Sequence, residues 1–185
     1  MSSAVTATDF EKLQCDEKAV VNDLVIKVAT VNGSGSQSSN MILVRALFKM
    51  GVPCCGKNLF PSNIQGLPTW YTLRANEKGW LGHRQKVDVM VAMNPASVLD
   101  DIAELESGAI LLLDDALKGL VNRDDILVYA VPFDDLVKAI CEDPRRRKMV
   151  VNIMYVGVLA SILGIEMTEV HAAIDWQFAK KGSAA

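Results

Sequence analysis

A short stretch rich in glycine and serine is the part of this sequence best suited to chemistry. It runs from Asn32 to Asn40 and reads NGSGSQSSN, after an apolar run, Leu24–Val31, and before a helical pattern, Met41–Met50. A small-residue loop between a strand and a helix brings backbone N–H groups and the positive end of the helix dipole close to a bound anion. The pattern predicts a site for the phosphates of a nucleotide or coenzyme, with a simple structural turn as the alternative. The predicted contacts are Gly33, Ser34, Gly35, Ser36, Gln37, Ser38, Ser39 and Asn40.

The loop differs from an NAD-binding fingerprint in two respects. Gly33 and Gly35 supply G-x-G, but Ser38 stands where G-x-G-x-x-G has its third glycine. An NAD site also needs an acidic residue about 20 residues further on to bind the ribose, and residues 52–58, VPCCGKN, contain none. Lys57 in that stretch suits a phosphate instead, as in NADP or the 3′-phosphate of coenzyme A, so the sequence favours coenzyme A over NAD.

A second unusual segment, Lys57–Arg74, reads KNLFPSNIQGLPTWYTLR. It combines two prolines with side-chain amides and paired aromatic residues just before a predicted strand. Polar loops of this kind often contact a ligand or partner, and a rigid connection is the alternative. The predicted ligand contacts in this segment, besides Lys57, are Ser62, Asn63, Gln65 and Gly66.

Composition excludes several classes of protein. Half of the 185 residues are hydrophobic, which excludes a disordered chain, and a net charge of -3 disfavours a nucleic-acid binder. The four cysteines form no C-x-x-C pair, so no metal site is predicted. The first residues resemble no secretory signal, so a cytoplasmic location is expected. The apolar run 149–167 is interrupted by polar residues and is interpreted as a core helix rather than a membrane span.

Predicted strands and helices alternate along the chain, which is typical of an α/β protein. The predicted strands are Leu24–Val31, Val52–Gly56, Thr69–Arg74, Val87–Met93, Ala109–Leu113 and Ile126–Val131. The predicted helices are Ser39–Met50, Pro95–Leu105, Asp134–Glu142, Pro144–Leu163 and Thr168–Lys180. The expected fold is a single Rossmann-like domain, residues 20–185, with a mostly parallel sheet and helices on both faces, after a flexible N-terminal arm, residues 1–19.

The order of four motifs resembles the gamma domain of 2-oxoacid:ferredoxin oxidoreductases. The motifs are the glycine loop, then FPSNIQGLPTWYTLR, then VDVMVAMNPAS, then GAILLLDD. The resemblance covers about residues 25–178 and is strongest for the form found at the front of the alpha subunit of the 2-oxoglutarate enzymes. Family loops are commonly richer in glycine, of the kind G-x-G-G-x-G, whereas this chain has Ser36 and Ser38.

This resemblance implies a role inside a larger enzyme. Such enzymes decarboxylate a 2-oxoacid, pass electrons to ferredoxin and release an acyl-coenzyme A. It implies that this chain contacts coenzyme A and helps to hold alpha and beta subunits together, and a delta subunit where one occurs. Thiamine pyrophosphate, magnesium and iron–sulfur clusters are then expected on the partner chains, and no catalytic residue is expected here. The alternatives are an independent NAD(P)-type Rossmann oxidoreductase and a coenzyme-free scaffold subunit.

Three zones are candidates for contact with partner chains. They are the aromatic loop Phe60–Tyr71, the N-terminal arm and the basic run Arg145–Lys148. The basic run places four cations in the first turn of a predicted helix, against its dipole. Anionic coenzyme phosphates, an acidic partner surface, or solvent and the neighbouring Glu142 and Asp143 are the alternatives for what offsets this charge.

Overall fold

The computed structural model describes residues 22–60 and 64–179. Within these residues, six strands, β1 to β6, span Asp23–Val31, Cys54–Leu59, Pro68–Asn76, Val89–Ala92, Ile110–Asp114 and Leu127–Val131. The same part of the chain has five α-helices, α1 to α5, which span Ser36–Lys49, Val98–Ala103, Phe133–Ile140, Pro144–Leu163 and Met167–Phe178. A 3-10 helix, Asp115–Leu120, follows β5.

All six strands belong to one sheet in the order β2-β3-β1-β4-β5-β6. β1, β4, β5 and β6 are parallel, whereas β3 runs antiparallel to both β1 and β2. The mostly parallel sheet predicted from the sequence is confirmed. β1 and β4 are the central strands, and all four residues of β4 and five of the nine residues of β1 are buried, as expected when helices cover both faces.

Two apolar layers hold the helices against the sheet. On one face, α1 contacts the sheet and α4 and α5 pack against α1, so that Leu43, Tyr155 and Val170 belong to one apolar cluster with the strands. On the other face, α2 packs through Val98 and Ile102. Each layer removes a continuous set of aliphatic side chains from water, which is the main favourable term in folding. The predicted single domain with helices on both faces is confirmed.

Boundary differences of three residues lie at the start of α1, at the start of α2, which was predicted from Pro95 and begins at Val98, and at the end of β2, which extends to Leu59 rather than Gly56. The helix predicted from Ser39 begins at Ser36, directly after Gly35, which has a left-handed backbone. The strand predicted from Val52 begins at Cys54, because the Val52 N–H bonds the carbonyl of Leu47 at 3.0 Å and closes the turn after α1. By contrast, α4 has the predicted bounds, with Asp143 as its cap and a left-handed Gly164 at its end.

Residues 149–167 fall mainly within α4, and Tyr155, Val156 and Leu159 of this helix are buried in the core. Among the described residues, no helix is long and apolar enough to cross a bilayer. The interpretation of this run as a core helix is confirmed. The predicted N-terminal arm, residues 1–19, lies outside the described residues.

The start of β1 gives the fold a pH-dependent contact. Arg74 of β3 is buried, and its guanidinium bonds the Asp23 carboxylate and the carbonyl oxygen of Leu24. The Arg74 hydrogen bond, with help from Asn76, holds the pKa of Asp23 below its ordinary value of 3.8. A depressed pKa means that this stabilisation is present above the unfolded-state pKa and is lost as the pH falls through the folded-state pKa.

We therefore predict that Asp23→Asn lowers the free energy of unfolding at pH 7, and that its difference from wild type disappears as the pH falls below about 4. Urea unfolding at a series of pH values measures this difference. Asp124→Asn, at an exposed aspartate, controls for the loss of a carboxylate as such. Parallel pH profiles for the wild type and Asp23→Asn would contradict the prediction.

Candidate functional site

The candidate site lies at the carboxyl ends of β1 and β4. The helix after β1 packs on one face of the sheet and the helix after β4 packs on the other. The connections therefore diverge at this point and leave a crevice between them. In open α/β sheets, ligands bind in such a crevice, at the topological switch point.

The glycine loop forms one wall of this crevice. Gly33 and Gly35 have φ angles of 84 and 83, a region that favours glycine because it has no Cβ. The Ser34 N–H closes a turn on the carbonyl of Val31 at 3.1 Å. Helix α1 has no side-chain cap on its N-terminus and no acidic residue in its first turn. The loop thus offers backbone N–H groups and a positive dipole end to an anion.

A turn from the second unusual segment supports the loop from one side. Asn32 bonds this turn with its backbone N–H to Leu67 O (2.8 Å), its carbonyl to Gly66 N–H (3.1 Å) and its side-chain amide to Ile64 O (3.1 Å). Gln65 lies against Gly33, where a Cβ atom in place of the glycine hydrogen would lie 3.0 Å from Gln65 Cγ. The two segments that the sequence singled out therefore meet at one site.

Helix α4 supports the loop from the other side. The Asn152 side-chain amide donates to Ser34 O at 2.9 Å, and the Tyr155 hydroxyl lies 2.8 Å from Asn40 Oδ1. Asn152, Tyr155 and Asn40 are all buried. Burial raises the pKa of the Tyr155 hydroxyl, which keeps it a neutral donor.

Ser36, at a position where the resembled family commonly has glycine, does not obstruct the loop. Ser36 is buried, and its hydroxyl lies 2.8 Å from the hydroxyl of Thr30. Its side chain therefore points into the protein toward β1. Ser38 lies in the first turn of α1 and is half-buried.

Two clefts flank the glycine loop. The larger one, of about 540 Å³, lies between the loop, the ends of β4 and β5 and the N-terminal parts of α3 and α4. Its walls are apolar at Val31, Met93, Leu117 and Val151. The charged residues that border it are the cations Lys138, Arg147 and Lys148 and the carboxylates Asp114 and Asp134. The smaller cleft, of about 210 Å³, lies on the Gly33 and Gly35 side of the loop, beside Asn58, Trp70 and Tyr71.

Some side chains of the basic run make structural contacts, and others border the larger cleft. The Arg146 guanidinium lies 3.4 Å from Asp143, and Arg147 donates from Nε to Cys141 O at 3.0 Å. Cys141 ends α3, so Arg147 satisfies a carbonyl at the negative end of that helix. Lys148 is exposed at the rim of the larger cleft. Asp114 also borders this cleft, where it caps the 3-10 helix through Ala116 N–H at 3.0 Å.

A buried carboxylate, that of Asp101, fixes the orientation of Trp70 beside the smaller cleft. The Trp70 indole N–H donates to Asp101 Oδ1 at 2.7 Å, and the Ser97 hydroxyl donates to Asp101 Oδ2 at the same distance. Burial raises the pKa of Asp101, although both donors oppose the shift. Trp70 is therefore held in one orientation beside the loop.

The structure brings most of the predicted contact residues together. Gly33 to Asn40 form the loop and the start of α1, although Ser39 is fully buried. Gln65 and Gly66 lie beside the loop. Lys57 precedes Asn58 in β2 and lies on the opposite face of the sheet from it, since successive strand residues alternate. Ser62 and Asn63 lie outside the described residues. As ligand contacts, all of these residues stay predictions.

Sequence reasoning missed the residues that hold the loop and, in the case of Tyr155, the helix α1 behind it. Thr30, Asn152 and Tyr155 belong to apolar segments and were interpreted as strand or core. The one available signal was Asn152, a buried asparagine in the middle of the run MVVNIMYVGV. Within residues 22–60 and 64–179, no three His, Cys, Asp or Glu side chains form a group that could hold a metal ion.

Comparison with known proteins gives a family match over most of the chain. Residues 25–185 match the family model described as pyruvate ferredoxin/flavodoxin oxidoreductase. The alpha subunit of 2-oxoacid:ferredoxin oxidoreductase 2 from Aeropyrum pernix is 25% identical over 118 residues, which cover 64% of this chain and 18% of the relative. The matched part of the chain thus spans less than a fifth of that curated relative.

Three solved structures share the fold. A 2-oxoglutarate:ferredoxin oxidoreductase from Magnetococcus marinus, solved with 2-oxoglutarate, coenzyme A and succinyl-CoA bound, matches with a TM-score of 0.73 and 22% identity, over 88% of this chain and 28% of that chain. Pyruvate oxidoreductase subunit PORC from Thermotoga maritima matches with a TM-score of 0.68 and 17% identity, over 85% and 86% of the two chains. The gamma subunit of a keto/oxoacid ferredoxin oxidoreductase from Geobacter sulfurreducens matches with a TM-score of 0.62 and 15% identity, over 82% and 85%. At these identities the likeness shows the fold.

The inward orientation of Ser36 leads to a prediction about stability. Ser36→Gly, which restores the glycine-rich family pattern, should lower the free energy of unfolding by about 1–3 kcal/mol, because it leaves the buried Thr30 hydroxyl without this partner and loosens the helix start. Urea unfolding measures the change. Ser38→Gly carries the same backbone change without touching the Thr30 bond, and equal losses for the two variants would count against a role for that bond.

Proposed function

This chain belongs to the pyruvate ferredoxin/flavodoxin oxidoreductase family, and we propose that it serves as a gamma-type subunit or domain of a thiamine pyrophosphate-dependent 2-oxoacid:ferredoxin oxidoreductase. In that role it contributes coenzyme A binding and subunit assembly, and the enzyme acts on 2-oxoglutarate or pyruvate. The observation that carries the proposal is the glycine loop at the switch point, with a helix behind it that has no side-chain cap and a cleft beside it that three cations and two carboxylates border.

The described residues fit the parts of coenzyme A. Backbone N–H groups of Gly33 and Gly35 and the first turn of α1 suit the phosphates. Lys148 at the cleft rim supplies positive charge for the same groups. Apolar wall residues such as Val31 and Met93 suit the uncharged parts of the molecule. In such an enzyme, coenzyme A takes up the acyl group that remains after decarboxylation.

The remaining components of the reaction are assigned to other chains. We place thiamine pyrophosphate, magnesium and iron–sulfur clusters on alpha and beta subunits, with a delta subunit where one occurs, and ferredoxin reaches this chain only through the complex. Leu59, Phe60 and Ile64 are exposed apolar side chains beside the smaller cleft, and exposed apolar patches of this kind often mark protein contacts. A cytoplasmic location stays a prediction from the sequence.

The topology argues against an NAD(P)-type oxidoreductase. In a dinucleotide site, the acid that binds the ribose follows the strand next to β1. Here β3 lies between β1 and β2, which places β2 about 10 Å from β1, and β2 carries no acidic residue. No observation favours a coenzyme-free scaffold either, because the inward Ser36 hydroxyl and the open space in front of Gly35 leave the loop accessible.

Ligand binding by the loop is tested by Gly35→Val in the assembled enzyme. A β-branched side chain at a φ of 83 strains the loop and fills the space in front of it, so we expect coenzyme A affinity to fall at least tenfold, corresponding to about 1.4 kcal/mol. Isothermal titration calorimetry measures the affinity.

Gly108→Val is the matched control, since Gly108 has the same φ of 83 and equally open surroundings. It lies just before the amino end of β5, whereas the glycine loop lies at the carboxyl ends of the parallel strands. Unchanged affinity in Gly35→Val, or an equal loss in both variants, would show that the loop is structural only.

Dependence on partners is tested by an activity assay. We expect the purified 185-residue chain to give no 2-oxoacid oxidation, and activity to appear only with a thiamine-binding partner and an electron carrier. The assay follows reduction of an artificial electron acceptor with a 2-oxoacid and coenzyme A. Turnover by this chain alone would overturn the assignment as a subunit.

A further inference from the structure

We infer that Asn152 is a positioning residue for the glycine loop: it sets the direction in which the Ser34–Gly35 peptide presents its N–H group. The inference rests on the proposed function, in which the loop binds phosphate. It assigns to α4, more than 110 residues away along the chain, control over a backbone donor of the ligand site.

The geometry of the peptide unit carries the first step. Asn152 Nδ2 donates to Ser34 O at 2.9 Å. In a planar trans peptide, the C=O and N–H groups point to opposite sides, and the described residues include no cis peptide. The Gly35 N–H therefore points away from α4. Ser34 borders the larger cleft and Gly35 the smaller one, so the peptide spans the wall between them.

The glycines make such external control necessary. Gly33 and Gly35 both have positive φ angles, and glycine has access to several backbone conformations at little steric cost. The orientation of the Ser34–Gly35 peptide depends on the φ angle of Gly35, and glycine can adopt either sign of φ, so the residue types of the loop do not by themselves select one orientation. A reversed peptide would present a carbonyl oxygen where the Gly35 N–H now lies, and a carbonyl oxygen repels a phosphate.

The residue type at position 152 supports a directing role. Asn152 is 4% exposed in an otherwise apolar stretch of α4. A buried amide is costly unless it is hydrogen-bonded, and asparagine has a lower helix propensity than leucine. A leucine would serve packing alone. The presence of an asparagine amide is explained by its hydrogen bond to the Ser34 carbonyl.

Tyr155 offers a comparison on the same helix. It lies one turn after Asn152 and bonds the Asn40 side chain at 2.8 Å, with both partners buried. That bond joins α4 to the second turn of α1 and leaves the Ser34–Gly35 peptide untouched. Tyr155→Phe therefore removes a buried hydrogen bond of the same helix contact without releasing the loop.

The closing experiment has a spectroscopic arm and a binding arm. Amide NMR spectra of the 185-residue chain should show a displaced Gly35 N–H resonance in Asn152→Leu and an unchanged one in Tyr155→Phe. In the assembled enzyme, calorimetry should show coenzyme A binding roughly ten- to a hundredfold weaker for Asn152→Leu, as for loss of a charge-assisted hydrogen bond. Tyr155→Phe should change the affinity less than about threefold while both variants unfold at lower temperature. Asn152→Ala replaces Asn152→Leu if the leucine variant does not fold.

The outcomes separate the two proposals. An unmoved Gly35 resonance, or an affinity loss no greater than that of Tyr155→Phe, overturns the positioning role. If Gly35→Val leaves coenzyme A affinity unchanged, the proposed function of the loop fails, and the NMR result still decides whether Asn152 orients the peptide. A displaced resonance together with a selective loss of affinity supports both proposals.

Discussion

The structure depends on one constraint: a loop that exposes its backbone through glycines lacks the side-chain packing that would fix its conformation. Gly33 and Gly35 remove the side chains that would block an anion, and with them the packing that would fix the loop. Local contacts, such as the Ser34 N–H on Val31 O and the Ser36 hydroxyl on Thr30, close the turn, and the remaining contacts come from elsewhere in the chain. Asn32 fastens the loop to the 64–67 turn, and Asn152 fastens Ser34 to α4.

Buried polar side chains therefore gather at this edge of the sheet. Asn94 donates to Thr30 O at 3.2 Å and accepts from Ala96 N–H at 3.0 Å. Together with Thr30, Asn40 and Asn152, it forms a set of hydrogen-bonded groups that would each be costly if left unpaired. The apolar layers hold the helices against both faces of the sheet. These polar groups fix the orientation of the backbone at the carboxyl ends of the strands.

The four cations in the first turn of α4 have different contacts: some bond neighbouring parts of the fold, and others border the candidate site. Four cations at the start of a helix oppose its dipole, yet Arg146 lies near Asp143 and Arg147 bonds the carbonyl at the end of α3. Exposed ion pairs contribute little to stability, so these contacts mainly place the side chains. Lys148 is left at the rim of the larger cleft, together with Lys138 from α3. The turn thus joins two helices and supplies positive charge to the cleft.

Local patterns in the sequence determined the elements whose causes are local. The bounds of α4 follow from Asp143 and Pro144 at its start and Gly164 at its end, and the glycine loop was identified from its own residues. Only the tertiary structure decided that β3 pairs with β1 and that Asn152 reaches Ser34. The physical reason is that caps, turns and hydrophobic periods act between residues a few positions apart. The pairing of strands and the partner of a buried amide depend on which distant segment packs there, and a single sequence carries no local sign of that partner.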